Sequence, residues 1–208
     1  MTFFNAVYDI DIILASQSPR RRDLLQAANI PFRIWTIPVE EDYPSELKGK
    51  DVAEYLCKHK AAVFQGKIPD NGIVITADTI VVKDNQTLNK AIDENQAFSM
   101  LRQLSGSQHE VITGVCLSSP HYQFFFNEVT RVFFRELEDD EIKYYITNYQ
   151  PFDKAGSYGI QEWIGSVAVT KIEGSYENVV GLPVARLYDE LKNFITTRFL
   201  SDTNKKSS

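Results

Sequence analysis

The sequence is poor in cysteine: its 208 residues include only Cys57 and Cys116. Two isolated cysteines do not provide the spaced framework of a small disulfide-stabilised domain, so we expect buried free thiols in a reducing cytosol. No apolar run approaches the roughly 20 residues that a membrane-spanning helix needs. The N-terminus has no basic residue before a short apolar stretch, as a secretory signal would. These absences predict a cytoplasmic protein without a membrane partner.

Several motifs that identify common enzyme classes are also missing. The sequence has no P-loop, no Rossmann glycine triplet and no nucleophile elbow, which removes the commonest ATPase, dehydrogenase and esterase assignments. The segment Cys57-Lys58-His59 is too short for a zinc site, and no second ligand pair has a usable spacing. A net charge of -6 disfavours binding to DNA or RNA. A polyanionic ligand would therefore need a small basic pocket, aided by a metal cation.

The order of apolar runs and helical periodicities predicts an α/β protein with a mixed sheet. We predict strands over 10–15, 32–35, 73–82, 111–117, 123–134 and 167–172, and helices over 19–28, 51–64, 93–104, 138–148 and 183–194. Asp51 is the expected N-cap of the second helix, and Pro183 the expected first residue of the last. One continuous domain is predicted over 1–200, followed by a polar, disordered tail over 201–208.

Three consecutive arginines follow the first predicted strand. Ser18 can cap the first helix and Pro19 can start it, which places Arg20, Arg21 and Arg22 in its first turn. Positive charge at this end opposes the helix dipole, and a bound anion would relieve the conflict. We therefore expect Arg20 and Arg21 to bind phosphate. The alternative, solvent exposure or pairing with Asp23, Glu40 or Glu41, fits Arg22 best.

A carboxylate interrupts the most apolar strand. Asp78 lies within Ile73–Val82, where it is costly to bury unless it pairs with a cation. Pairing with an arginine or capping of a loop would satisfy it structurally, whereas a position at the end of a strand favours a functional role. The adjacent acids Glu40 and Glu41 have the composition of a solvated loop. One of them could join Asp78 in an oxygen site for Mg²⁺ or Mn²⁺.

The remaining polar candidates are less distinctive on their own. Lys58, Lys60 and Lys90 are most simply surface lysines. The stretch 153–161 has small residues that allow a ligand to approach the backbone, and Gln161 at its end carries both a donor and an acceptor suited to a base edge. The stretch 174–183 has the composition of a turn that leads into the last helix.

Taken together, these segments resemble the Maf family of nucleotide pyrophosphatases. The matching segments follow the family order from about Ile12 to Phe194: 15–21, Glu40-Glu41, Lys60-Ala61, 77–81, 101–106, 113–115, 153–161 and 174–183. The segments 154–161 and 174–183 resemble the branch that acts on dTTP and UTP rather than the branch that prefers methylated GTP. One departure is Lys90-Ala91, where the family often has Lys-Pro.

The resemblance implies a fold, a cofactor and roles for individual residues. The implied fold is an elongated mixed β-sheet flanked by helices, of the Maf or ITPase-like type, with two lobes around a deep nucleotide-binding cleft and frequent homodimers. The implied catalytic residues are Asp78, Glu41, Lys60 and Lys90, and the implied substrate-binding residues are Ser16, Arg20, Arg21, Thr79 and Gln161, of which Arg20, Thr79 and Gln161 are linked to base choice. Glu41 and Asp78 would hold a divalent cation, Mg²⁺ or Mn²⁺.

The implied activity is hydrolysis of dTTP and UTP, or of modified pyrimidine nucleotides, to the monophosphate and pyrophosphate, with links to house-cleaning and to arrest of cell division. Two alternatives stay open from the sequence. One is a pyrophosphatase for methylated or deaminated purine triphosphates. The other is a non-catalytic nucleotide-binding regulator of cell division, although such a protein would not need a costly carboxylate facing the phosphates.

Overall fold

The structure, a computed structural model, describes residues 7–199. Its seven strands are β1 (Asp11–Leu14), β2 (Arg33–Ile34), β3 (Gly72–Lys83), β4 (Gln86–Leu88), β5 (Gln108–Ser118), β6 (Gln123–Phe134) and β7 (Val169–Glu173). Its α-helices are α1 (Pro19–Ala27), α2 (Lys50–Ala62), α3 (Glu94–Leu104), α4 (Asp139–Tyr149), α5 (Trp163–Ala168), α6 (Tyr176–Val180) and α7 (Val184–Asn193). The predicted tail over 201–208 lies outside the described residues.

The strands form one mixed sheet, so the predicted fold class is confirmed. Their order is β2-β1-β3-β5-β6-β7, and β4 pairs with β3 beside this path. The pairs among β2, β1 and β3 are parallel, whereas those from β3 through β7 are antiparallel. None of the helices in the described residues is long and apolar enough to span a bilayer.

The predicted elements agree with the structure in approximate position, and most of their ends differ by one to three residues. Helix α2 begins at Lys50, so Asp51 lies in the first turn and the predicted Asp51 N-cap was wrong; the N-cap is Gly49, whose φ of 52° favours glycine. Pro183 is the N-cap of α7 rather than its first residue.

The short elements were predicted least well. Val167 and Ala168, predicted to begin the last strand, instead end α5. The elements β4, α5 and α6, which are three to six residues long, were not predicted.

Strand β3 runs through the centre of the sheet and contributes to most of the core. Alternate residues Ile73, Ile75 and Ala77 pack with β1, α1 and α7 in one cluster. Further along the strand, Val81 belongs to a cluster with α3, α4 and α5. Ile80 packs instead with residues of α2. A strand buried on both faces explains why this stretch is almost continuously apolar.

One edge of β3 is only partly paired. Along that edge β1 pairs with 72–75 and β4 pairs with 81–83, and the part of the chain described places no strand opposite 76–80. The other edge is paired with β5 from Val74 to Val82. The sheet therefore has a gap between β1 and β4, and Asp78 lies in the middle of the stretch of β3 that has no strand partner on this edge.

Helix α2 packs directly onto the backbone of β5. A Cβ added at Gly114 would lie 2.4 Å from the carbonyl oxygen of Ala53 in α2, closer than nonbonded atoms can approach. Gly114 is also the register partner of Asp78 on β3. The missing side chain at Gly114 thus lets the helix that carries Lys60 lie close to the strand that carries Asp78.

Replacement of Gly114 by alanine should therefore destabilise the fold. The methyl group would force α2 away from the sheet, and overpacking of this kind costs about 1–3 kcal/mol of the free energy of unfolding. Urea denaturation followed by circular dichroism measures that loss. Val129→Ala on β6, which shortens a partly exposed side chain, is the matched control and should cost clearly less. Equal stability of Gly114→Ala and the wild type would contradict this account of the packing.

Candidate active site

The gap in the sheet opens into a cleft of about 760 Å³. Its walls come from the start of α1, the loop after β2, the centre of β3, the segment after β4 and the loops before α5 and after α6. The cleft is lined by all nine residues to which the family resemblance gives a catalytic or substrate-binding role: Ser16, Arg20, Arg21, Glu41, Lys60, Asp78, Thr79, Lys90 and Gln161. The fold therefore brings residues from 16 to 161 together around the unpaired stretch of β3.

Two lysines and two carboxylates form a chain of ion pairs on one wall. Lys60 Nζ donates a short hydrogen bond to Asp78 Oδ1 and a second one, of 2.8 Å, to Glu41 Oε1. Lys90 Nζ donates to the other oxygen of Glu41 at 2.6 Å. The cationic partner of Asp78 is thus a lysine of α2, where the sequence suggested an arginine or a loop. Asp78 and Lys60 are nearly buried, whereas Glu41 and Lys90 are about half exposed.

The ion pairs keep Glu41 ionised. Partial burial alone would raise the pKa of the Glu41 carboxyl, but hydrogen bonds from Lys60 and Lys90 outweigh burial and lower the pKa to about 2. Glu41 therefore stays an acceptor-only carboxylate over the physiological pH range. Each of its oxygens accepts one lysine hydrogen bond and keeps further acceptor capacity, so Glu41 could also contribute to a cation site.

Arg21 is fixed at the base of the cleft by three hydrogen bonds. Its Nε donates to the carbonyl oxygen of Gly181 at 2.8 Å, Nη2 to Thr79 Oγ1 at 3.1 Å, and Nη1 to Ser16 Oγ at 3.5 Å. Burial lowers the pKa of Arg21, opposed by the charge of Asp78. A guanidinium has five N–H donors, so two remain for a ligand.

The hydrogen bonds of Arg21 continue into the sheet. Thr79 Oγ1 lies 2.9 Å from Thr113 Oγ1 on β5, and Thr113 Oγ1 donates to the carbonyl oxygen of Asn178 at 3.1 Å. Asn178 is fully buried, and its Nδ2 donates to Val111 O, Glu128 O and Thr130 Oγ1. These contacts dock the loop after α6 against the sheet, so the Gly181 carbonyl that holds Arg21 has a fixed position.

Arg20 and Arg22 differ in environment. Arg20 Nη1 donates to Asp153 Oδ2 at 2.8 Å across the cleft, and Lys154 Nζ donates to the other oxygen of Asp153 at 2.7 Å. Partial burial would raise the pKa of Asp153, but the hydrogen bonds from Lys154 and Arg20 lower it to about 2. Arg22 contacts its neighbour Asp23 on the exposed face of α1, as the alternative interpretation of the sequence expected.

Gln161 projects into the cleft beyond a buried glycine. It is exposed, whereas Gly159 is buried, and the backbone N–H of Gly159 donates to Tyr145 Oη at 3.0 Å. Tyr145 in turn donates to Glu162, which pairs with Lys154 at 3.1 Å. Sequence reasoning did not single out Tyr145 or Glu162, because a tyrosine and a glutamate at ordinary helix positions give no local signal.

A buried pair of aromatic side chains, Tyr158 and His109, lies behind the same wall. Tyr158 Oη lies 2.7 Å from His109 Nε2, and both side chains are buried. Burial lowers the pKa of His109 to about 3, so the ring stays neutral and the pair carries no charge. Tyr158 lines the cleft, and this pair therefore makes its wall rigid without adding to its electrostatics.

The donor set fits a divalent cation that arrives with a ligand better than a resident metal. Residues 7–199 contain no group of three or more histidine, cysteine, aspartate or glutamate side chains placed to hold a metal ion. Asp78 and Glu41 nevertheless reach the same ammonium group, that of Lys60, so both carboxylates face one cationic position. Mg²⁺ commonly takes one or two carboxylates and completes its shell with substrate phosphates and water.

Comparison with known proteins gives a consistent set of relatives. The sequence pattern of the family described as Maf-like protein matches residues 11–194. The chain is 52% identical to the dTTP/UTP pyrophosphatase of Phocaeicola vulgatus over 182 residues, which are 87% of this chain and 94% of the relative. It is 49% identical to the dTTP/UTP pyrophosphatase of Bacteroides fragilis (strain ATCC 25285), over the same shares of the two chains. Among solved structures, the Staphylococcus aureus Ham1 protein matches 60% of this chain and 71% of its own, with a TM-score of 0.41 and 12% identity.

The Arg20–Asp153 pair predicts a specific response of stability to acid. Because the pKa of Asp153 is lower in the folded protein, the pair stabilises the fold above the ordinary pKa of 3.8, and the effect is lost as pH falls towards 2. Asp153→Asn should melt about 1–4 °C below the wild type at pH 6, the range for an exposed pair. In thermal melts at pH 3, the difference in melting temperature between the two proteins should be smaller than at pH 6.

A control separates this effect from a general loss of charge. Asp70→Asn removes a carboxylate exposed before β3, and its melting temperature should stay within about 1 °C of the wild type at both pH values, because surface substitutions change stability little. If the difference in melting temperature between the wild type and Asp153→Asn is the same at pH 6 and at pH 3, Asp153 does not act through its ion pairs.

Proposed function

The chain belongs to the Maf family, and from this membership we infer that it is a nucleoside triphosphate pyrophosphatase that converts dTTP and UTP to the monophosphate and pyrophosphate. The observation that carries the inference is about 50% identity to dTTP/UTP pyrophosphatases over most of both chains. The cleft suits a triphosphate, because positive side chains line it in a protein of net charge -6.

The contacts of the cleft support separate roles for its two walls. We propose that Arg21 uses its two remaining N–H donors, and Lys60 and Lys90 their ammonium groups, to bind phosphate oxygens. Binding would transfer these cations from Glu41 and Asp78 to the substrate. The carboxylates released in this way would then face the substrate at the position that Lys60 Nζ occupies.

We propose one of two roles for Asp78: it accepts the proton of the water that attacks the α-phosphorus, or it holds the metal that lowers the pKa of that water. Asp78 lies nearly buried on the central strand β3, where Lys60 Nζ donates to its Oδ1 before substrate binds. In phosphoryl transfer, positioning and electrostatic stabilisation supply most of the rate. Glu41 and Asp78 would hold a Mg²⁺ or Mn²⁺ that neutralises phosphate charge and lowers the pKa of bound water.

Base selection is proposed for the opposite wall. Gln161 is exposed there and offers both a donor and an acceptor to the edge of a pyrimidine. Arg20 and Thr79 also line the cleft, and they complete the set of residues that the family resemblance links to base choice. Ser16 is proposed either to contact the substrate directly or to orient Arg21, whose Nη1 donates to its hydroxyl.

The cytoplasmic location and the homodimer stay predictions. Buried free thiols at Cys57 and Cys116 support the first, because a reducing compartment preserves thiols.

Product analysis with a panel of nucleotides tests the activity. The purified protein with Mg²⁺ should release pyrophosphate and the monophosphate from dTTP and UTP, at least about tenfold faster than from ATP or GTP. A chelator should abolish turnover, and added Mg²⁺ or Mn²⁺ should restore it. Activity confined to methylated or deaminated purine triphosphates would replace the substrate assignment. Binding without turnover of any triphosphate would favour the regulatory alternative.

The role of Asp78 gives a second prediction. Asp78→Asn keeps the shape of the side chain but loses the charge, and it should lower kcat by about 10²-fold or more. Asp84→Asn, an exposed carboxylate in the turn after β3, is the matched control and should keep the wild-type rate. A rate regained at high Mg²⁺ would indicate that Asp78 acts through the metal. Near-wild-type turnover of Asp78→Asn would refute both roles.

A further inference from the structure

We propose that Tyr145 is a positioning residue for base recognition, and that its hydroxyl fixes the backbone from which Gln161 projects. The proposal rests on the proposed function, since it concerns the same cleft. Tyr145 lies in α4, behind the wall of the cleft, and its side chain is fully buried. It is therefore not a catalytic residue and would act only through the segment that it holds.

The hydroxyl of Tyr145 makes two directional contacts. It accepts the backbone N–H of Gly159 at 3.0 Å and donates to Glu162 Oε2. Gly159 and Glu162 lie on either side of Gln161 in sequence, so one hydroxyl ties down both ends of the segment. A buried backbone N–H without an acceptor costs free energy, so the segment has a strong reason to keep this geometry.

The amide of Gln161 also lies close to the backbone of Gly159. A Cβ added at Gly159 would lie 2.9 Å from Gln161 Nε2 and 2.8 Å from Glu162 Cδ. The amide of Gln161 thus lies beside the glycine whose N–H Tyr145 accepts. A shift of this segment would move the backbone from which Gln161 projects, and hydrogen bonds to a base edge weaken when the distance or the angle changes.

The same network reaches the other side of the cleft. Glu162 Oε1 pairs with Lys154 at 3.1 Å, Lys154 pairs with Asp153, and Asp153 pairs with Arg20 on α1. The chain of contacts therefore runs from a buried tyrosine to a guanidinium at the mouth of the cleft. Gln161 and Arg20, which both line the cleft, are thus connected through one set of hydrogen-bonded residues, of which Tyr145 lies behind the wall.

The hydroxyl of Tyr145 is a dependable donor. Burial raises the pKa of this hydroxyl, and the hydrogen bond and negative charge of Glu162 raise it further, so the group keeps its proton at neutral pH. The hydroxyl therefore acts as a neutral donor in the contact with Glu162. Its effect on recognition is geometric, which makes removal of the single oxygen atom the most direct test.

Tyr145→Phe removes that oxygen and keeps the ring. We expect KM for dTTP and UTP to rise about tenfold and kcat to change less than about threefold, because the reacting groups lie on the other wall. The Ki of inorganic tripolyphosphate, which has no base, should stay within about twofold. The preference for pyrimidine over purine triphosphates should fall by about tenfold. Amide hydrogen exchange of Gly159 should accelerate by about tenfold or more, as its acceptor is lost.

Tyr149→Phe is the matched control. Tyr149 lies one turn further along α4 and stacks on Tyr145 at 5.1 Å between ring centroids, but its side chain is partly exposed. The control should leave KM, selectivity and exchange at Gly159 unchanged. If Tyr145→Phe matches Tyr149→Phe in KM and in Gly159 exchange, the proposal is wrong. An equal rise in the Ki of tripolyphosphate would also overturn it, since the effect would then not concern the base.

Two further measurements keep the test decisive. If Tyr145→Phe fails to fold by circular dichroism, Glu162→Gln breaks the pair with Lys154 on the accessible side of the network and should give the same KM pattern at a smaller magnitude; unchanged KM there would refute the proposal. If the wild type turns over neither dTTP nor UTP, the proposed function fails by itself. The exchange rate of Gly159 and the Kd of an α,β-imido dTTP analogue then still decide whether Tyr145 positions the segment.

Discussion

The ion pair between Asp78 and Lys60 is the contact on which the rest of the cleft depends. Asp78 interrupts a strand that is otherwise apolar and buried on both faces, and an unpaired carboxylate there would be prohibitively costly. Lys60 reaches it only because α2 lies against the bare backbone at Gly114, opposite Asp78 in the sheet. The glycine, the helix and the ion pair are thus parts of one arrangement.

The ion pair lies where one edge of β3 has no strand partner, so the cleft opens beside it. A central strand is normally paired on both sides, but β1 and β4 leave residues 76–80 without a strand partner on one edge. The cleft opens at this gap, while the other edge remains bonded to β5. The rigid core and the open cleft share a strand, so the site can be both solvent-accessible and preorganised, which electrostatic catalysis requires.

The sequence was sufficient to predict the central elements and the members of the cleft. Asp78 was identifiable because its cost in an apolar strand is visible without any contact, and Arg20 and Arg21 because they oppose the helix dipole. The family resemblance added Lys60 and Lys90, whose own sequence context indicated surface lysines, and it linked to base choice Gln161, whose donor and acceptor already suited a base edge. The short elements β4, α5 and α6 escaped prediction because three to six residues carry too little periodicity.

The contacts between these residues could not be predicted, for a physical reason. An arginine or a loop was one alternative for the partner of Asp78, and the partner is Lys60, because α2 packs beside this part of the strand. Tyr145 and Asn178 hold the cleft from behind, and neither breaks a local rule of composition or charge. Their contacts join residues 14 to 67 positions apart in sequence, which no local pattern reveals.

Two hydrogen-bonded chains support the two ends of the cleft. One runs from Arg21 through Thr79 and Thr113 to Asn178, and it fixes the end of the cleft that the proposed mechanism assigns to phosphates. The other runs from Arg20 to Tyr145 and fixes the end assigned to the base.

Although the two chains share no residue, they meet in α1, where Arg20 and Arg21 are consecutive, and beside the bridge between Lys90 and Ala155. A change in one chain therefore reaches the other through the backbone of these segments rather than through a shared side chain. On the proposed roles, a residue behind the base wall would affect recognition without taking part in the chemistry.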